Sequence, residues 1–208
     1  MDLDLSCSLC ASADDPRFAA FLAIYEEALP ARERKTVAQL AHDLTRPATR
    51  LLMLEDADAV IGFALVHVGA GFALLEYMAI RRDRRSAGLG ARLFAEATAL
   101  AGDAPLLIEV DSPRERAARD LSIRLRRIDF YRRCGCRTVR GLDYVLPLPG
   151  EGAPPLMDLM AYTAAPKLRT MDLARWLSAI YADVYAQPND DPRIVAMLAP
   201  LGEVAELD

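Results

Sequence analysis

The sequence has little of what membrane proteins, metal sites and secreted scaffolds need. No apolar run reaches the roughly 18 residues of a membrane-spanning helix, and residues 1–5 are acidic rather than positively charged, unlike the start of a secretory signal. The 208 residues include only four cysteines and two histidines. We therefore expect a cytoplasmic protein that does not use a membrane as a partner.

The cysteines occur as two pairs, Cys7 with Cys10 and Cys134 with Cys136. A structural zinc site needs four ligands that converge in space, usually with characteristic spacings. These two pairs lie far apart in the sequence, and neither histidine is close to either pair. The pattern predicts free thiols in a reducing compartment and no metal site.

The formal net charge is −5, with 53 % apolar and 26 % charged residues. This composition is typical of a globular protein of one domain, with or without an appendage. A negative chain disfavours nucleic acid and favours a small cationic partner. However, residues 114–140 contain ten arginines against three acids. This arginine band either meets the phosphates of a nucleotide cofactor or forms a solvated helix face.

The first half of the chain changes from a helical to an extended pattern. Asp14-Asp15-Pro16 is a helix-start signal, and the helix is predicted to end near Pro30. Thr36 and Gln39 form the signature of a capping box for a second helix. Three extended runs with short turns follow and predict an antiparallel meander: Leu51–Glu55, Val60–Val68 and Phe72–Ile80.

Later elements alternate between helix and strand. Helices are predicted from Gly88, over residues 120–133, after Thr170 and over Pro192–Leu198; strands are predicted at Leu106–Val110, Cys136–Val139 and Leu156–Met160. The order predicts an α/β fold in which a mixed, mainly antiparallel central sheet is flanked by helices. We expect a catalytic domain over residues 1–160 and a C-terminal helical appendage over 161–208.

The segment from Ile80 to Ala91 is the most informative part of the chain. A strand ends there, a polar loop follows, and a helix begins at two glycines. The free N–H groups and the dipole of a helix N-terminus suit a pyrophosphate, and glycine lets the backbone approach it closely. The phosphate-loop pattern with Gly-Lys-Ser/Thr is missing, and the third glycine of the dinucleotide pattern is also missing.

Two motifs resemble those of GNAT acetyltransferases. Arg85-Ser86-Ala87-Gly88-Leu89-Gly90 matches the family's acetyl-CoA loop, Arg/Gln-x-x-Gly-x-Gly/Ala. Phe130-Tyr131 followed by Gly135-Cys136 is similar to the second CoA motif, Phe-Tyr-x-x-x-Gly-Phe. Cys136 replaces the usual Phe, and Arg124 stands where the family often has Asn. The resemblance spans roughly residues 15–160.

The resemblance implies acetyl-CoA as co-substrate and assigns residues to it. Main chain at Met78, Ala79 and Ile80 would pair with the pantetheine arm. Main chain at seven loop residues would hold the pyrophosphate: Arg85, Ser86, Ala87, Gly88, Leu89, Gly90 and Ala91. Tyr131 would donate a proton to the CoA sulfur, and the alternative for this tyrosine is packing of its helix on the sheet.

A general base is also expected, because an amine must lose a proton before it attacks a thioester. Glu76 interrupts an apolar strand, where a carboxylate is costly unless it is solvated, paired or used. Its position resembles that of the acid–base glutamate of polyamine acetyltransferases. A buried structural pair is the alternative for Glu76, and Glu109 and Asp111 are rival bases.

The leading hypothesis is therefore N-acetylation of a primary amine on a small, cationic substrate by direct attack. The alternatives are a catalytically silent acyl-CoA-binding regulatory module, a protein amine as acceptor, and a longer acyl donor. In the C-terminal segment, Trp176, Tyr181 and Tyr185 either line an acceptor cleft or form a homodimer contact.

Overall fold

The structure is a computed structural model that describes residues 4–85, 88–114, 120–147 and 155–208, with only the backbone of Arg32. These residues form ten strands and six helices. The strands are β1 Leu5–Cys10, β2 Thr49–Asp56, β3 Ala59–Gly69, β4 Phe72–Ile80, β5 Leu106–Asp111, β6 Arg137–Thr138, β7 Tyr144–Val145, β8 Leu156–Tyr162, β9 Lys167–Arg169 and β10 Val204–Glu206. The helices are α1 Phe18–Ala28, α2 Val37–Leu44, α3 Leu89–Ala101, α4 Leu121–Arg133, α5 Thr170–Asp183 and α6 Pro192–Leu198.

The chain forms two compact units. The first comprises Met1–Val68 and Leu75–Gly102, and the second comprises Gly69–Leu74 and Asp103–Asp208. The first unit contains β1 to β3, most of β4, and helices α1 to α3. The second unit contains the start of β4 and every element from β5 onward.

In the first unit the strands follow one another as an antiparallel meander. β1 pairs antiparallel with β2, from Leu5 opposite Asp56 to Cys10 opposite Leu51, and β2 pairs antiparallel with β3. α1 buries the apolar face that its periodicity predicts, and the Phe21 ring meets the Phe63 ring edge-on with centroids 4.8 Å apart. The hydrophobic core of this unit therefore lies between α1 and the strands.

In the second unit β8 is the central strand. It pairs antiparallel with β5, and on its other side with the short strands β6 and β7. The buried residues of α5 belong to the same core cluster as those of β5 and β8: Leu173, Trp176, Leu177, Ile180 and Tyr181. Residues 161–208 also contain β9 and β10, which pair antiparallel with each other.

The predicted α/β fold with a mainly antiparallel sheet is confirmed. The capping box is present, since the Thr36 side chain accepts from the N–H of Gln39 and the Gln39 side chain accepts from the N–H of Thr36. Four strands were not predicted: β1, and the strands β7, β9 and β10, in which two or three residues are too few to show an alternation. No helix in the described residues is long and apolar enough to cross a membrane.

Candidate active site

The second half of β4 is more accessible than the rest of the strand. Residues 72–75 are buried, whereas Glu76, Tyr77, Met78 and Ala79 are half-buried, and Ile80 is buried again. Met78 and Ala79, two of the three residues that the sequence assigned to the pantetheine arm, therefore lie on one half-buried stretch with the candidate base Glu76, and Ile80 follows this stretch. Burial of the neighbouring strand residues holds this stretch in a fixed extended conformation.

Glu76 is one of two carboxylates that share a single ammonium group. The Nζ of Lys35 lies 2.7 Å from Oε2 of Glu76 and 2.8 Å from Oδ2 of Asp43. The side chain of Glu76 is only 4 % exposed. Burial raises the pKa of the Glu76 carboxyl, and the attraction of Lys35 offsets only part of this effect.

Lys35 keeps its charge in this arrangement. Burial acts to lower the pKa of its ammonium, but Glu76 and Asp43 outweigh burial and raise it. One ammonium group therefore faces two carboxyl groups in the triad of Lys35, Glu76 and Asp43. When both carboxyl groups are ionised, the net charge of the triad is about −1.

The loop after β4 leads directly into α3. Residues 82–84 form a single 3₁₀ turn, and the Nε of Arg85 donates to the carbonyl of Ile80 over 3.0 Å. Ser86 and Ala87 lie outside the described residues. Gly88 is the N-cap of α3 with φ of +75°, a left-handed conformation that favours glycine.

The N-terminus of α3 begins at Gly88. A Cβ atom at Gly88 would have no heavy atom of the described residues within 4 Å. The N–H groups of Leu89 and Gly90 precede the first intrahelical bonds, which run from Ala91 and Arg92 to the carbonyl of Gly88. Unbonded N–H donors and the positive end of a helix dipole are the features with which a helix N-terminus binds a pyrophosphate.

Tyr131 lies in α4 and is buried. Burial raises the pKa of its phenol well above the ordinary value, so the hydroxyl keeps its proton at neutral pH. The main-chain N–H of Cys136 donates to the carbonyl of Tyr131 over 2.9 Å, and Gly135 takes a φ of +92°. The glycine of the Tyr-x-x-x-Gly motif thus ends α4 in a conformation that other residues rarely adopt.

The rival bases have other partners. Glu109 accepts hydrogen bonds from the hydroxyls of Tyr144 on one carboxylate oxygen and of Tyr185 on the other. Asp111 forms an ion pair with Arg127, with 2.7 Å between Oδ2 and Nη1. Both oxygens of Glu109 therefore hold protein donors, whereas Lys35 bonds only one oxygen of Glu76.

The arginine band is largely tied to the protein where the structure describes it. Arg114 bonds Asp143 and Asp158, and Arg124 is buried beside the carbonyl of Ser112. These bonds hold loops and helix ends together, as a structural role requires. Arg116 and Arg119 of the band lie outside the described residues.

The four cysteines are free thiols, and no group of three or more metal-ligating side chains occurs in the part of the chain that the structure describes. Burial raises the pKa of Cys136 to about 12 and, together with Glu96, that of Cys7 to about 11. A thiol must ionise to act as a nucleophile. These two cysteines are therefore poor nucleophiles at neutral pH.

Sequence reasoning missed Lys35 and Asp43 as neighbours of Glu76. Forty-one residues separate Lys35 from Glu76, and neither belongs to a motif with the other. The one available signal was the carboxylate of Glu76 within an apolar strand. Such a group requires a partner, but the sequence does not identify that partner. The same holds for Tyr144 and Tyr185 around Glu109.

Comparison with known proteins gives a family match. Residues 18–136 match the family model described as "Acetyltransferase (GNAT) family", which covers more than half of the chain. No curated protein matches the chain at a significant level.

Three of the solved structures that share the fold show the degree of similarity. A GNAT-family protein from Bacteroides thetaiotaomicron has a TM-score of 0.71 at 23 % identity, over 86 % of this chain and 98 % of its own. The ribosomal-protein-S18-alanine N-acetyltransferase from Escherichia coli has a TM-score of 0.56 at 19 % identity, over 77 % of this chain and 96 % of its own. An aminoglycoside acetyltransferase from an uncultured soil metagenomic sample has a TM-score of 0.50 at 14 % identity, over 62 % of this chain and 86 % of its own.

Proposed function

The chain belongs to the acetyltransferase (GNAT) family, and from that premise we propose that it acetylates a primary amine of a small cationic substrate by direct attack. Acyl transfer from acetyl-CoA is the activity of this family. The nature of the acceptor and the roles of individual residues are the new parts of the proposal. The observation that carries it is Glu76 of β4, whose side chain is only 4 % exposed and forms an ion pair with Lys35, four residues before Ile80 and the loop to Gly88.

Glu76 is the proposed general base. An alkyl ammonium has an ordinary pKa of about 10.4, so little free amine exists at neutral pH. Glu76 takes one proton from this ammonium. The nitrogen lone pair then forms a bond to the thioester carbonyl carbon while the carbon–sulfur bond breaks, and the acylated nitrogen releases its second proton to water.

Tyr131 is the proposed acid. It gives its phenolic proton to the departing sulfur and recovers a proton from solvent, while Glu76 releases its proton to solvent. The products are the acetamide, the free thiol of CoA and one proton. The main chain of Met78–Ile80 holds the thioester arm, and the N-terminus of α3 holds the pyrophosphate.

The acceptor class rests on charge. The chain has a formal charge of −5, and a negative surface attracts cationic partners. The aminoglycoside acetyltransferase among the similar structures has a small polycationic acceptor by its name, which supports this class. The four free thiols support a reducing, cytoplasmic setting.

A protein amine is the second candidate acceptor, because the similar enzyme from Escherichia coli acts on the alanine of ribosomal protein S18. One assay separates the candidates. Thiol release from acetyl-CoA is measured with a polyamine, an aminoglycoside, a neutral primary amine and a peptide with a free N-terminal alanine. We expect the fastest release with the polyamine or the aminoglycoside.

The outcomes of this assay are distinct. Release with the peptide alone would overturn the small-molecule proposal. Acetyl-CoA binding by calorimetry without release for any amine would favour a silent regulatory module. The Glu76→Gln variant is the control for release that does not depend on the proposed base.

A further inference from the structure

The chain contains only two lysines, Lys35 and Lys167, and their surroundings differ. The side chain of Lys35 is 14 % exposed between two carboxylates, whereas that of Lys167 is 50 % exposed in a single pair with Glu206. A solvated pair such as the second one is worth little. The first places a positive charge where water is largely excluded, so it acts strongly on its neighbours.

The position of Lys35 is fixed by its backbone as well as by its side chain. The main-chain N–H of Lys35 donates to the hydroxyl of Tyr25 over 2.7 Å. Two residues earlier, the carbonyl of Glu33 accepts from the hydroxyl of Tyr77 over 3.0 Å. The two tyrosine rings meet edge-on with centroids 5.2 Å apart. Because the segment before α2 is held in this way, the ammonium is positioned in advance of any substrate.

The charge balance of the triad favours binding of a proton. One ammonium group neutralises only one of the two carboxylates, and a net charge in a buried place is costly. One added proton makes the triad neutral. The Glu76 side chain is 4 % exposed and that of Asp43 is 15 % exposed, so desolvation directs this proton to Glu76.

We propose that Lys35 is a positioning residue of acetyl transfer, which together with Asp43 sets the pH at which Glu76 accepts the proton of the acceptor amine. This inference rests on the proposed role of Glu76 as the base. Lys35 keeps the carboxylate from binding a proton too tightly to release it, and Asp43 keeps Lys35 from suppressing its basicity.

The charged groups that act on Glu76 come from the segment before α2, from α2 and from the residues after it. Lys35 and Arg46 favour the ionised carboxylate, and Asp43 favours the protonated one. Removal of Lys35 and removal of Asp43 should therefore shift the titration of Glu76 in opposite directions. A purely structural ion pair would shift the same titration, so the catalytic role of Lys35 depends on whether the pH dependence of catalysis shifts with it.

The first experiment measures this titration without any substrate. The protein is labelled with ¹³C at glutamate carboxyls, and the Glu76 signal is assigned from its loss in Glu76→Gln. We expect Lys35→Met to raise the pKa of Glu76 by roughly 1–3 units, and Asp43→Asn to lower it. Lys35→Arg keeps the charge and should restore the wild-type titration, and Lys167→Met is the matched control that should leave it unchanged. If Lys35→Met does not fold, the titration of Glu76 in Asp43→Asn alone tests the proposal.

The second experiment measures kcat/KM against pH with acetyl-CoA and spermidine, or with the panel amine that gives the fastest thiol release. In each variant, the acidic limb of the kcat/KM profile should shift in the same direction as the pKa of Glu76 measured by NMR. An unchanged Glu76 titration in both Lys35→Met and Asp43→Asn would overturn the role of Lys35. A shifted titration with an unmoved kinetic limb would overturn Glu76 as the base, and with it the catalytic role of Lys35.

Discussion

At the scale of single residues, burial affects both the packing and the proposed acid–base chemistry of Glu76 and Tyr131. Each is an ionisable group whose pKa is raised by burial. For the carboxylate this raises its affinity for a proton, as a base requires, and for the phenol it preserves the proton that an acid must donate. The substitutions Glu76→Gln and Tyr131→Phe separate these roles from packing.

Glu76→Gln should lower turnover by roughly 10²- to 10⁴-fold near neutral pH, the usual contribution of a positioned base. A base acts only when unprotonated, so the wild-type rate should fall as the pH drops through the raised pKa of Glu76. The variant lacks this group, and higher pH should partly restore its rate because free amine appears. Lys35 still has Asp43 as a partner in the variant, so the fold should persist. A loss of activity of equal size at every pH would indicate that Glu76 binds or supports structure.

Tyr131→Phe should lower turnover by roughly 10²- to 10⁴-fold with nearly unchanged acetyl-CoA affinity. The change removes one hydroxyl and keeps the ring that packs in α4. Tyr162→Phe is the matched control, since this tyrosine of the same unit is 40 % exposed. Single-turnover kinetics measures the chemical step directly. Wild-type rates in that measurement would reduce Tyr131 to a packing residue.

At the scale of elements, the two glycines that flank α3 can be compared directly. Gly88 caps its N-terminus with φ of +75°, and Gly102 caps its C-terminus with φ of +59°. A Cβ atom at either position would have no heavy atom within 4 Å. Substitution thus strains the backbone at both ends of one helix, while only the N-terminal end carries the proposed pyrophosphate site.

Gly88→Ala should weaken acetyl-CoA binding more than tenfold, which corresponds to more than about 1.4 kcal/mol. Gly102→Ala should leave the dissociation constant nearly unchanged. Each variant should lose stability by roughly 1–2 kcal/mol, because alanine is strained in the left-handed region. Titration calorimetry and thermal unfolding measure the two effects. Equal affinity in the two variants would contradict the loop assignment.

At the scale of the whole molecule, the C-terminal segment shares a core with the strands. Eight buried residues after Thr170 belong to the cluster that contains Leu107 and Leu159: Leu173, Trp176, Leu177, Ile180, Tyr181, Ile194, Met197 and Ala205. A segment with this much buried surface contributes to the stability of its unit. The prediction of a C-terminal helical appendage over 161–208 is therefore best tested by measuring stability.

Leu177→Ala should lower the free energy of unfolding by roughly 2–5 kcal/mol, since Leu177 is fully buried and the deletion leaves a cavity. Val195→Ala is the control, because Val195 is 72 % exposed and should change stability by less than about 0.5 kcal/mol. Urea unfolding followed by circular dichroism measures both. An unshifted main transition in Leu177→Ala would show that the C-terminal segment unfolds independently.

The sequence by itself determined the local features of this protein. The bounds of β4 and α6 agree with the predicted ranges, because apolar periodicity and cap residues act over neighbouring positions. The loop from Arg85 to Ala91 and the motif around Tyr131 were identified because each is a short contiguous run of residues. The family follows from these same short motifs.

Only the tertiary structure decided which charges meet. Lys35 reaches Glu76, and Tyr185 reaches Glu109, across 41 and 76 residues of sequence. Such pairs depend on strand register, on the tyrosine bonds that hold the segment before α2, and on how deeply each carboxylate is buried. The strength of an electrostatic interaction varies with distance and solvent exposure, and neither quantity can be read from the order of the residues. The sequence therefore indicated a carboxylate that needs a partner, and the fold supplied Lys35.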